Sequence, residues 1–171
     1  TSACHKCVAG KHDDDLDPAT VCTACAAGKH ADPGATVCAD CGIGQHDGDS
    51  NAATPCVACQ AGTYSVSGAT SCTDCPAGQT DHDSDAATAC VGCSPGDHTV
   101  AKATGACQAC AVGTYDHDTN PATVCASCAA GRHSGTGATM CAECGIGQYD
   151  GDSDAARSSR SPEPAKPAKP A

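Results

Sequence analysis

Apolar positions along this 171-residue chain settle into neither a helical stripe nor a sustained alternation. Gly, Pro, Asp, Ser and Thr interrupt every apolar run within a few residues, so neither the 3.6-residue nor the two-residue period has room to build. The pattern predicts short two-stranded ribbons and turns. What recurs instead is Cys-x-x-Cys, in nine pairs: Cys4/Cys7, Cys22/Cys25, Cys38/Cys41, Cys56/Cys59, Cys72/Cys75, Cys90/Cys93, Cys107/Cys110, Cys125/Cys128 and Cys141/Cys144. The gaps between pairs run 14, 12, 14, 12, 14, 13, 14 and 12 residues, so long and short modules alternate. A fixed period of this kind outranks any local secondary-structure reading.

Three residues past the second Cys of each pair stands a Gly, as at Gly10, Gly28, Gly44 and Gly62, placed to supply a turn with positive φ. Two residues later comes His12, His30, His46, Tyr64, Thr80, His98, Tyr115, His133 or Tyr149, and eight of these nine are planar rings. The ring is expected to lie over a disulfide and stand in for a core; Thr80 marks one module that manages without it. A slower period relates residues 4–53 to residues 107–156, identical at 31 of 50 positions with an offset of 103, or six modules. The fold expected is a small disulfide-rich repeat array. It would be an elongated rod of short β-ribbons and turns with little regular secondary structure, each module touching mainly its neighbours. Nine modules fill residues 1–156, and a basic, Pro-rich extended tail fills 157–171.

Composition explains why cysteine must do the work. The chain has no Phe or Trp, a single Leu (Leu16), a single Met (Met140) and three Tyr, from which no conventional core can be built. Ordering a backbone costs about 1–2 kcal/mol per residue, and cross-links are the abundant means of offsetting it. Eighteen Cys in such a chain point to an oxidising compartment, outside the cytosol. No signal peptide opens the sequence and no apolar run is long enough for a membrane span, so the chain reads as a soluble mature protein or fragment. The net charge of −11 is uneven: Arg157, Arg160, Lys166 and Lys169 against Glu163 make the tail +3 and leave −14 for the modules. A body that acidic repels nucleic acid and anionic lipid.

Disulfides, zinc sites and redox catalysis compete for the pairs, and spacing alone does not decide among them. Two CxxC pairs 12 to 14 residues apart match a zinc ribbon, but nine is an odd number and acidic surroundings disfavour the thiolate that zinc requires. Redox catalysis calls for one CxxC opening a helix in a βαβ frame, and haem attachment needs His directly after the second Cys, which no pair has.

The stretch CQAGTYSVSGATSCTDCPAGQT, residues 59–80, resembles the cysteine-rich repeats of ephrin-receptor-like and tumour-necrosis-factor-receptor-like ectodomains, which also occur in surface proteins of algae and other protists. The resemblance extends over residues 4–156 and is specific for a scaffold rather than for a function. It implies that the Cys before each Gly pairs with the first Cys of the next CxxC. Carried over, that joins Cys7 with Cys22, Cys25 with Cys38, Cys41 with Cys56, Cys59 with Cys72, Cys75 with Cys90, Cys93 with Cys107, Cys110 with Cys125, and Cys128 with Cys141. Cys4 and Cys144 are then left over, as candidates for intermolecular bonds, with head-to-tail joining of one to the other in a filament as the sharpest version. Exchanged local partners, a free thiol or a cut from a longer protein are the alternatives.

The long modules carry a second motif, DxDx[DN]: Asp13, Asp15, Asp17; Asp47, Asp49, Asn51; Asp81, Asp83, Asp85; Asp116, Asp118, Asn120; and Asp150, Asp152, Asp154. Alternate oxygen side chains in a turn suit Ca2+, the one cofactor the sequence suggests, although the distal Glu and central Gly of an EF-hand loop are missing. The alternative is a solvated acidic turn whose Asp and Asn side chains bond their own backbone. No N-glycosylation sequon is present, because Asn51 is followed by two Ala and Asn120 by Pro121. The tail, SPEPAKPAKPA, is expected to form extended polyproline II; it resembles the hydroxyproline-rich segments of plant and algal surface glycoproteins, which makes Pro162, Pro164, Pro167 and Pro170 candidate glycan attachment points.

Asp and His recur in register with the repeat and no module owns a unique constellation, so an enzyme is not expected. The leading expectation is a structural component of an extracellular or cell-surface filament, coat or appendage. It would be similar to the mastigoneme proteins of algal flagella, self-associating or joining other extracellular structural proteins and glycans. An adhesion or receptor ectodomain binding a protein ligand is the alternative, and a zinc- or calcium-binding repeat protein a third.

Overall fold

The computed structural model describes residues 4–146, which hold the first eight modules; the ninth module beyond Gly145–Ile146 and the tail lie outside them. Each module is one β-hairpin two residues wide. Lys11–His12 pairs antiparallel with Thr23–Ala24 in module 1, Lys29–His30 with Ala39–Asp40 in module 2, and Gln45–His46 with Val57–Ala58 in module 3. Modules 4, 6, 7 and 8 repeat the arrangement through Thr63–Tyr64, Asp97–His98, Thr114–Tyr115 and Arg132–His133. In module 5, Gln79–Asp81 pairs with Val91–Gly92 and also, in parallel, with Ala103–Thr104. Among the described residues there is no helix.

The return strand of every hairpin is the pair of residues inside a CxxC. Side chains three apart on a strand point to opposite faces. The first Cys of each pair therefore faces back to close its own module and the second faces forward to open the next. The eight bridges are Cys7–Cys22, Cys25–Cys38, Cys41–Cys56, Cys59–Cys72, Cys75–Cys90, Cys93–Cys107, Cys110–Cys125 and Cys128–Cys141. Cys4 and Cys144 are free thiols. The ladder closes where the second Cys donates its N–H to the turn glycine, as Cys25 N to Gly10 O at 2.9 Å and Cys75 N to Gly62 O at 2.9 Å.

Burial confirms what stands in for a core. Among the described residues the buried apolar ones are Cys7, Ala31, Cys41, Ala52, Cys75, Cys110 and Cys128, five of them half-cystines. The larger aliphatic side chains point outward: Val21 is 89% exposed and Met140 73%. No described helix is long and apolar enough to cross a membrane.

The described residues divide into two compact units, the first comprising 4–75, 80–91 and 101–105, the second 76–79, 92–100 and 106–146. Within each unit modules touch their neighbours and also the module two places on. In the first unit a Cβ on Gly44 would stand 2.8 Å from Ala87 N; in the second, a Cβ on Gly78 would stand 2.9 Å from Ala122 N. The expectation of mainly nearest-neighbour contact thus needs widening. The side-chain-free turn of one module is the floor on which the loop two modules later rests.

Candidate functional site

The repeated chemistry of this chain lies at the junctions between modules, and the junctions are of two kinds. Where a long module precedes a short one, the contacts are mostly between backbones. Gly10 N donates to Ala31 O at 2.8 Å, Asp13 N to Ala35 O at 3.0 Å, and Gly34 N returns to Cys7 O at 2.8 Å. The same bonds recur from Gly44, Asp47 and Gly68 in modules 3 and 4, and from Gly113, Asp116 and Gly137 in modules 7 and 8. Buried Ser65 and Ser134 reinforce them, their hydroxyls donating to Gln45 O at 2.8 Å and Thr114 O at 2.7 Å. Their alignment within the short modules was the only sequence signal for this role, and small residues after the ring give little to read.

Where a short module precedes a long one, the acidic motif makes the contact. Asp47 Oδ2 accepts from Gly28 N at 2.9 Å, Asp81 Oδ2 from Gly62 N at 2.8 Å, and Asp116 Oδ2 from Gly96 N at 3.0 Å. A backbone bond accompanies each: Ala31 N to Ala52 O, Ser65 N to Ala86 O and Thr99 N to Pro121 O, at 3.0, 3.2 and 3.0 Å. All three carboxylates are buried, at 4–5% exposure. A buried peptide N–H left without an acceptor is costly, so these aspartates fasten one module to the next.

The other two positions of the motif look inward at their own loop. Asp15, Asp49, Asp83 and Asp118 each accept the N–H of the third-position residue, Asp17, Asn51, Asp85 or Asn120, at 2.9–3.1 Å. Each also accepts a hydroxyl, from Thr20, Thr54, Thr88 or Thr123. The third-position side chains in turn accept from Ala19, Ala53, Ala87 and Ala122 N. The residue spanned by the first of these bonds is left-handed: Leu16, Ser50, Ser84 and Thr119 have φ of 54–57°. Side-chain bonding to the turn backbone is what lets these non-glycine residues hold that conformation. The motif is thus divided between a junction, which takes the first aspartate of modules 3, 5 and 7, and a turn, which takes the other two positions. Asp150, Asp152 and Asp154, like Tyr149 and the four tail prolines, lie outside the described residues.

The backbone N–H of the third-position residue, aided by the threonine hydroxyl, holds the carboxyls of Asp15, Asp83 and Asp118 below the ordinary aspartate value. At Asp49 the same backbone bond leads. A carboxyl whose value is lowered on folding adds stability above its unfolded value and loses it as pH falls through the lowered one. The urea midpoint should therefore stay level from neutrality down to about pH 5 and fall below about pH 4. Exchanging all four for Asn keeps an accepting oxygen in each turn and should flatten that fall; an unchanged acid limb would show that other groups set it.

The ring slot behaves as a lid on the next cystine. His12 Nδ1 lies 3.1 Å from Cys38 Sγ, His30 Nδ1 3.5 Å from Cys56 Sγ, His46 Nδ1 3.2 Å from Cys72 Sγ, and His98 Nδ1 3.3 Å from Cys125 Sγ. His12 and His46 also face the carbonyls of Thr23 and Val57 at 3.1 and 3.0 Å. Carbonyl oxygen and disulfide sulfur only accept, so the neutral ring carries its hydrogen on Nδ1. In Thr80 a hydroxyl replaces the ring and donates to Gly105 O at 2.7 Å, tying modules 5 and 6 without a lid. His12, Cys25 and Cys38, with the matching sets at His46 and His98, bring three ligand atoms within 4.8 Å of one another. Their sulfurs are in disulfides, and zinc binds thiolate. These sets therefore offer a metal only the imidazole.

No protein-family model matches the chain, and no curated protein is significantly similar to it.

Proposed function

We propose that this chain is a non-catalytic structural component of an extracellular filament, coat or appendage, built from cystine modules of the ephrin-receptor-like and tumour-necrosis-factor-receptor-like kind. The observation that carries the reading is how its reactive side chains are used. Asp47, Asp81 and Asp116 fasten successive modules, the second and third positions of the described acidic motifs hold their own turns, and His12, His30, His46 and His98 cover cystines, so this repeated chemistry serves the scaffold. A disulfide content this high fits an oxidising, extracellular setting. The two free thiols, Cys4 and Cys144, stand where the repeat would link to further modules.

An adhesion or receptor ectodomain is the second reading, favoured by the aliphatic side chains carried outward, Val21, Val37, Val57 and Val124 among them. Electron microscopy of native material separates the two. A filament or coat with a repeat of six modules is the expected result; isolated molecules with no lateral or end-to-end association would overturn the structural reading in favour of the receptor one. Non-reducing mass spectrometry adds a covalent readout, and Cys4 joined to Cys144 within every monomer would remove end-to-end linkage.

A further inference from the structure

We propose that Asp81, together with Asp83, holds one calcium ion at the junction of modules 4 and 5. Asp81 is buried, at 4% exposure, and its Oδ2 accepts from Gly62 N at 2.8 Å. Its Oδ1 is also buried, and it is the one buried carboxylate oxygen among the described residues that has no hydrogen-bond partner. An unmatched acceptor is most costly on an ionised group shielded from water.

The matching junction of modules 2 and 3 shows how that oxygen is otherwise satisfied. There Asn51 N serves both carboxylates of the motif, lying 3.1 Å from Asp47 Oδ1 and 3.0 Å from Asp49 Oδ1. In module 5 the equivalent N–H, that of Asp85, bonds Asp83 Oδ1 at 3.1 Å and leaves Asp81 Oδ1 unmatched. The sequence changes at the same point. Modules 3 and 7 end the motif in an amide, Asn51 and Asn120, whereas Asp85 supplies a third carboxyl group. The side chains of Asp81 and Asp83 lie within hydrogen-bonding range of one another, so the unmatched oxygen belongs to a pair of adjacent carboxylates.

No ion pair of the described residues takes up the charge of Asp81. Lys102, whose backbone carbonyl faces Gly62, sends its ammonium to Asp74 at 3.1 Å. His82 Nε2 lies 3.7 Å from Asp83 Oδ2, and both side chains are exposed. A water molecule donating to Asp81 Oδ1 would satisfy the oxygen but leave two neighbouring negative charges in place. A divalent ion offsets both. Carboxylate oxygens are hard donors, and a flexible surface loop suits calcium, whereas magnesium demands near-ideal octahedral geometry and dehydrates reluctantly. Asp83 and Asp85 are exposed, which leaves room for water to complete the coordination shell. The site is narrower than the motif. Of the four described copies, only this one combines a junction-buried aspartate, an unmatched oxygen and three carboxyl groups. The ion would reinforce the loop whose first aspartate fastens module 4 to module 5. None of this depends on the structural role proposed above, and its failure would leave that reading as it stands.

The test titrates calcium chloride into the full oxidised chain at constant ionic strength and follows the amide resonances. Gly62, His82 and Asp85 should shift saturably with one dissociation constant on the order of 0.1–1 mM, the range of extracellular calcium modules. Gly28 and Asn51, at the matching junction of modules 2 and 3, should move far less. Asp81→Asn keeps an oxygen to accept from Gly62 N and removes the charge, and it should weaken binding about tenfold or more. If that variant does not fold, Asp83→Asn decides the matter, because it lies at an exposed turn position, retains an acceptor for Asp85 N and should weaken binding by a similar factor. Asp47→Asn makes the same exchange where both oxygens are already matched, and should leave the affinity at module 5 unchanged. Shifts that never saturate, equal shifts at the two junctions, wild-type affinity in either folded module 5 variant, or an equal loss in Asp47→Asn would each overturn the site.

Discussion

Complete reduction of the eight disulfides, at neutral pH and without denaturant, is expected to unfold the described modules and collapse the dispersion of their amide proton resonances. Each bridge closes a loop with a sequence separation of 13 to 15 residues, and in the chain-entropy account such a loop contributes about 3 kcal/mol. In most domains a hydrophobic core would survive the loss of cross-links. Among the described residues the buried apolar ones other than half-cystines are Ala31 and Ala52, and two methyl groups cannot hold hairpins two residues wide. The His lids would fail with the bridges, since reduced sulfurs no longer fix the surface on which His12, His46 and His98 rest. Removing one bridge, by Cys41→Ser with Cys56→Ser, should act locally: about 2–4 kcal/mol, read as lost hydrogen-exchange protection in module 3 and the modules touching it. Resonance dispersion that persists after verified reduction would show that hydrogen bonding alone sustains the fold.

Gly62→Ala should be among the most damaging single substitutions that leave the cysteines intact. The residue sits at φ +81°, where an L side chain costs about 1–2 kcal/mol. The new Cβ would also lie 2.6 Å from Lys102 O and 3.0 Å from Lys102 C. That obstacle is backbone, and it is pinned by the 2.8 Å bond from Lys102 N to Cys75 O. Overpacking against a fixed partner adds about 1–3 kcal/mol. Gly105→Ala separates the two contributions, because Gly105 has φ +82° and open space within 4 Å of its added Cβ. The expected result is a loss of about 3 kcal/mol or more for Gly62→Ala against about 1–2 kcal/mol for Gly105→Ala, measured from denaturation midpoints. Equal losses would mean that backbone conformation, and not the contact two modules on, selects glycine at this turn.

Several features were visible in the sequence because each is set by a local requirement. The turn glycines announced positive φ, the interrupted apolar pattern announced short ribbons, and the ring after the glycine suggested a cover for sulfur. The acidic motif was equally visible, but its meaning was not. Asp47, Asp49 and Asn51 read as one oxygen-rich set, yet Asp47 serves the module before it while Asp49 and Asn51 serve their own loop. Strictly alternating oxygens are compatible with both uses, and the partner that distinguishes them is a peptide N–H 19 residues away. Ser65 and Ser134 were passed over for the same reason: a buried serine acquires its role only from the carbonyl it meets.

The sequence by itself determined the unit of construction, a cystine hairpin repeated with alternating loop lengths, because cysteine spacing and glycine placement are properties of one module. The tertiary structure alone decided why the lengths alternate. A short module needs a carboxylate from its successor to satisfy its turn N–H, whereas a long module meets its successor backbone to backbone. That choice depends on which groups stacking brings within hydrogen-bond reach, and residues 19 to 27 apart in the chain carry no local signature of it.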